Sequence, residues 1–100
     1  MILNYYLKDY ENKFGERPIR ISVTINKTRM MTTVGFSVRP DIWDDRKQRV
    51  KPHKQNSQKQ TSSEINEVLD TYVIRFTEFE KECEGKPSVD DLKKAMQDFI

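Results

Sequence analysis

Residues 18–26, PIRISVTIN, constrain the fold of this chain more than any other stretch. Ile19, Ile21, Val23 and Ile25 alternate with Arg20, Ser22, Thr24 and Asn26. A strict period of two sends the first set to one face of a β-strand and the second to the other. One face is then buried and the other wet, as in an antiparallel sheet covered on one side. The β-branched residues suit a strand. Asn26-Lys27 predicts a tight hairpin turn, because Asn tolerates positive φ. Residues 29–36 return antiparallel, with Met30, Thr32, Val34 and Phe36 on one face and Arg29, Met31 and Thr33 on the other. Residues 2–10 add a strand with Leu3, Tyr5 and Leu7 opposite Asn4, Tyr6 and Lys8.

Three apolar strand faces need cover. Thr61 and Glu64 have capping-box spacing, so a helix begins there. Ile65, Leu69, Tyr72, Phe76, Phe79 and Cys83 follow at spacings of three and four, one apolar stripe reaching about Glu84. Gly85-Lys86-Pro87 is expected to end it. Ser88 and Asp91 then cap a short last helix with Val89, Leu92, Met96 and Phe99 on its apolar side. That pattern meets no stop signal, so a longer parent chain is expected. Pro40 starts a single helical turn that tucks Ile42 and Trp43 under the sheet. Residues 46–60, RKQRVKPHKQNSQKQ, hold six basic residues and no acid, and read as an extended or mobile loop. The predicted fold class is α+β: a three-stranded antiparallel sheet on one long C-terminal helix, with a short extra helix at the end.

Charge is segregated. Residues 1–62 carry 13 Lys and Arg against 6 Asp and Glu, a net +7; residues 63–100 carry 5 against 10, a net −5. A basic front half beside an acidic back half suggests a surface that meets a polyanion. No apolar run approaches the roughly 18 residues of a membrane span, and MILNYYLKDYE lacks the basic-then-apolar order of a signal peptide. No membrane partner is expected. Cys83 is the only cysteine, which excludes an internal disulfide and fits a reducing cytoplasm. The three glycines, at 15, 35 and 85, are too scattered to cradle a phosphate. His53 has no second histidine or paired cysteine, so neither metal nor cofactor is expected. It could pair only with Ser57, Ser62, Ser63 or Cys83, and nothing orients such a pair for catalysis.

The positive signal is the wet face of the sheet. Arg20, Ser22, Thr24, Asn26, Arg29, Met31 and Thr33 form a polar, basic surface without acids, with Lys27 at its tip. Arg, Asn, Ser and Thr hydrogen-bond base edges and phosphates. The expected DNA-binding set is these eight residues together with Lys47, Arg49, Lys51 and Lys54, which would hold phosphates.

The order YYLKDY, GERPIRISVTIN, GFSVRPDIWDDRKQRV, EINEVL resembles the N-terminal arm-type DNA-binding domain of tyrosine recombinases, in the branch of phage and conjugative-transposon integrases. The most specific pieces are Gly35, Val38, Pro40 and Trp43, the basic stretch 46–50, and Ile65-Asn66. The resemblance implies a sheet backed by one helix that binds arm-type sites on double-stranded DNA and positions a separate catalytic domain. It covers about residues 2–84, so an arm-type domain over 1–84 is expected, with 85–100 a connector toward a core-binding domain. The family's catalytic tyrosine and its Arg and His partners have no counterpart in Tyr5, Tyr6, Tyr10 or Tyr72, so no activity is expected of this segment. Implied partners are DNA, the parent's own catalytic and core-binding domains, and proteins of a recombination complex, in a bacterial or phage-encoded, nucleoid-associated cytoplasmic setting. The alternative is a protein-interaction module that dimerises through the stripe of helix 62–84. RNA binding would require exposed aromatics on the wet face, where Tyr6 is the one candidate.

Overall fold

The computed structural model describes residues 1–84 and 86–99. Strands β1 (Ile2–Leu7), β2 (Arg17–Ile25) and β3 (Thr28–Val38) form an antiparallel sheet in that order, followed by a 3-10 turn (Pro40–Ile42). A two-strand hairpin comes next, β4 (Trp43–Asp44) and β5 (Arg49–Val50), and then helices α1 (Ser62–Glu82) and α2 (Val89–Asp98). The expected α+β class holds.

Alternation in β2 becomes burial. Ile19, Ile21, Val23 and Ile25 are fully buried, each contributing about 1.5–3 kcal/mol relative to an exposed position. The β2–β3 turn has positive φ at both central residues, 48° at Asn26 and 70° at Lys27. That turn type matches the twist of a hairpin. β3 runs further than its alternation suggested, because it crosses an irregularity. Arg20 pairs with Thr33, but Pro18 pairs with Ser37, so residues 34–36 face Ile19 alone. Gly35 sits there at φ 90°, a conformation glycine adopts without strain. The two extra residues preserve parity, so Val34 and Val38 both stay on the buried face. β1 ends at Leu7 and not near Tyr10, because the Asn12 side chain accepts from the N–H groups of Phe14 and Glu16 and turns the chain.

α1 lies across the apolar face. Thr61 Oγ1 accepts from Glu64 N at its start, and Ile65, Leu69, Tyr72 and Phe76 are buried in the common core. The buried Tyr5 hydroxyl donates to the Leu69 carbonyl at 2.6 Å, locking β1 to the helix. Burial pushes the Tyr5 phenol well above its ordinary pKa, with Arg49 opposing. α1 ends at Glu82, with Glu84 in the left-handed region; the predicted stop at Gly85 lies outside the described residues. Ser88 and Asp91 form the full capping box of α2. Leu92 and Met96 are buried, and the Phe99 ring meets Phe76 edge-on at 4.8 Å. Val89, expected on the apolar side, is exposed. Helical side chains lean toward the N-terminus, so at the first position Val89 points past the packed turns.

The largest correction concerns residues 46–60. They are not an extended loop but a folded series of turns built on polar side chains. Asp44 Oδ1 accepts from Arg46 N and Lys47 N, both at 3.0 Å. Asn66 of α1 clamps Val50, accepting from its N–H and donating to its C=O at 2.9 Å each. Asn56 is buried, accepts from Gln58 N and Gln60 N, and donates to Ser37 O. The Ser62 hydroxyl accepts from Lys54 N and donates to Lys51 O. Such side chain–backbone bonds replace apolar packing, which is why a polar composition concealed the order.

Candidate nucleic-acid interface

Strand register sorts the face opposite α1 into three rows: Ile2–Thr24–Arg29, Asn4–Ser22–Met31 and Tyr6–Arg20–Thr33. None of these nine residues is acidic. Arg29, Met31 and Thr33 are exposed, Arg20 and Thr24 are half-buried, and Asn26 and Lys27 stand free at the hairpin tip. Ser22, in the middle of the central strand, is buried; its hydroxyl accepts from Arg29 Nε at 3.2 Å and fixes how that guanidinium leaves the sheet. The wet-face residues singled out in the sequence are thus brought onto one surface.

The four basic residues predicted from 46–60 are not gathered with them. Arg49 is committed to the helix side: its guanidinium bonds Asp70 Oδ1 at 2.8 and 3.0 Å and lies 5.2 Å from the Tyr5 ring centroid. Lys51 Nζ donates to the Asp41 carbonyl at 3.0 Å. Lys54 is exposed beside the start of α1, where its backbone bonds Ser62. Lys47 is exposed. Its turn docks on the outer edge of β1 through Gln48, which accepts from Tyr5 N at 2.8 Å and donates to Asn4 Oδ1 at 3.0 Å. The Asp44 carboxyl beneath that turn is held below its usual range, first by the Lys47 N–H bond and then by that of Arg46, against desolvation.

Gln48 and Asn4 were missed in the sequence, and no local signal marks them, since they are 44 residues apart. Tyr6 is half-buried with its hydroxyl enclosed, so it is not an open platform for stacking a base. The α1 stripe proposed as a dimer contact is spent on the sheet: Ile65, Leu69, Tyr72 and Phe76 are buried within the chain. At the β3 edge, a cavity of about 370 Å³ separates Met31 and Thr33 from Lys93 and Gln97 of α2.

No curated protein and no solved structure matched this chain. The family model described as Arm DNA-binding domain matches residues 5–93, which takes in the sheet from the middle of β1 onward, the hairpin, α1 and the first half of α2. That family comprises non-catalytic DNA-binding modules of integrases, in agreement with an exposed acid-free sheet face. The chain therefore belongs to the Arm DNA-binding domain family, the N-terminal arm-type DNA-binding domains of tyrosine recombinase integrases.

Proposed function

We propose that this domain reads arm-type sites on double-stranded DNA by laying the wet face of β2 and β3 in the major groove, on behalf of a parent tyrosine recombinase encoded by a mobile element. The observation that carries the reading is the acid-free face on which Arg20 and Arg29 project from among small residues. The major groove is about 12 Å wide and admits a two-stranded ribbon; adjacent strands lie about 4.8 Å apart. Arg20 and Arg29 meet base edges, most favourably guanine, while Ser22, Thr24 and Thr33 let the backbone approach. Asn26 and Lys27 at the tip and Lys47 at the β1 edge hold phosphates. Arg49 and Lys51 act from outside the groove, since Asp70 and the Asp41 carbonyl already hold them, and Lys54 stands exposed beside the start of α1. Arg20 lies four residues along β2 from the partner of Arg29, about 13 Å, so the two arginines sample positions about four base steps apart at 3.4 Å per step. Residues 85–100 continue toward a core-binding domain, and a bacterial or phage-infected cytoplasm is the setting that goes with this role.

The test is competition binding on a duplex selected from a randomised library against a scrambled duplex. Arg20→Ala and Arg29→Ala are expected to cost about 1–3 kcal/mol on the selected site and little on the scrambled one. Lys27→Ala is expected to weaken both alike. Equal losses on both duplexes for the two arginine variants would sink the groove reading.

A further inference from the structure

The two edges of the sheet are both flanked, and by different parts of the chain. At the β1 edge stands the turn bearing Arg46 and Lys47, pinned by Gln48. At the β3 edge stands α2, across the cavity lined by Met31, Thr32, Thr33, Tyr72, Met96 and the pair Lys93 and Gln97. The row Asn4–Ser22–Met31 joins them, beginning at Gln48 and ending at that cavity. Lys93 and Gln97 are one turn apart on α2 and so share a face. Met96 between them is buried and anchors that face to the core. Lys93 is exposed and makes no ion pair among the described residues. Its neighbour Lys94 lies instead along the groove between α2 and the end of α1, with Phe79, Cys83 and Asp98.

Resting on the groove reading above, we infer that α2 is the second wall of the DNA site, with Lys93 and Gln97 taking the phosphodiester backbone of the strand that borders β3. With β1 beside the β2–β3 ribbon, the outer strands of the sheet are about 9.6 Å apart, still less than the groove width of about 12 Å, so β1 enters the groove as well. The two phosphate chains therefore pass just beyond the two sheet edges. One meets Arg46 and Lys47, and the other meets Lys93, whose ammonium supplies the charge, and Gln97, whose amide supplies a neutral donor. The acidic back half of the chain thereby contributes a cation to the basic surface.

Each neutralised phosphate adds about 0.9 to the slope of log K against log salt, worth about eightfold in affinity at about 0.1 M salt relative to 1 M. The experiment compares the wild-type chain with Lys93→Ala and Lys93→Arg on the selected and the scrambled duplex over a salt series. Lys93→Ala is expected to bind both duplexes about eightfold more weakly at about 0.1 M salt, with a slope shallower by about 0.9, and Lys93→Arg to restore both quantities. A scan of single methylphosphonates should find a position that weakens the wild type and not Lys93→Ala. Wild-type affinity and slope in Lys93→Ala, on a duplex where Arg20→Ala fails, overturns the α2 wall and leaves the groove reading intact. Loss that arginine does not restore also overturns it. A wild-type chain that binds no duplex removes the groove reading and this inference together.

Discussion

Glu16 is the residue whose chemistry departs furthest from its surroundings. It is a carboxylate at 3% exposure, next to Arg17-Pro18 at the start of β2. Ser57 reaches it from the turn ahead of α1, its N–H at 2.8 Å and its hydroxyl at 2.7 Å, and Asn12 Nδ2 approaches at 3.4 Å. Burial pushes its pKa up, but the bonds from Ser57 and Asn12 and the charge of Arg39 outweigh that and hold the group below its ordinary value of 4.5. A carboxyl with a depressed folded-state pKa adds stability above the unfolded value and loses it as pH falls through the folded value. Glu16→Gln is therefore expected to cost about 1–3 kcal/mol at neutral pH, and the difference from wild type should vanish in acid, well below the ordinary carboxyl pKa. Urea unfolding of both proteins at neutral and acid pH checks this; a pH-independent difference would mean that shape, and not charge, is what the site recognises.

At the scale of elements, two joints decide whether the wet face is presented. The first is α1 against the sheet, where Leu69 is fully buried and its carbonyl receives Tyr5. Leu69→Ala should cost about 2–5 kcal/mol through lost transfer energy and the cavity left behind, a large share of a small domain's margin. A change in thermal or urea stability below about 0.5 kcal/mol would place the helix elsewhere. The second joint is the β4–β5 hairpin against α1, through Asn66 on Val50 and the Arg49–Asp70 pair. The ion pair is partly exposed and contributes little by itself. Removing Asn66 leaves the Val50 N–H and C=O without their partner, so Asn66→Ala is predicted to cost about 1–3 kcal/mol and to speed amide exchange at Val50. Unchanged exchange there would assign the hairpin's order to Trp43 and Val50 packing alone.

For the whole molecule, the segregated charges do not become two separated poles. Arg49 crosses to Asp70 and the N-terminus to Glu80, stitching the basic front half to the acidic helix. Arg17 and Arg39 are also paired, with Glu11 and Asp41. Among the described residues, Arg20 and Arg29 on the sheet face, Lys27 at the hairpin tip, Arg46 and Lys47 in the β1-edge turn and Lys93 on α2 make no ion pair. If they neutralise about five phosphates, log K for duplex DNA should fall with log salt at a slope near −4.5. A fluorescence-anisotropy titration over a salt series measures it, and a slope near zero would remove the electrostatic basis of binding.

What could be read from the sequence was whatever is periodic or local. The alternation in β2 predicted both faces of the sheet, Asn26-Lys27 its hairpin, Thr61 and Ser88 the helix starts, and the 3-4 stripe the face of α1 that is buried. These are short-range consequences of backbone geometry, which repeats every two or 3.6 residues. The ordered path of residues 46–60, the removal of Arg49 from the basic surface, the docking of Gln48 on β1 and the place of α2 beside β3 have no period. They rest on single polar contacts, some between near neighbours and some across 16 to 44 residues of chain, and on the shared core that draws Leu92 and Met96 to the sheet. A hydrogen bond between distant side chains leaves no trace in local composition, so which cations stand unpaired and which hold the protein together was decided only when the chain closed on itself.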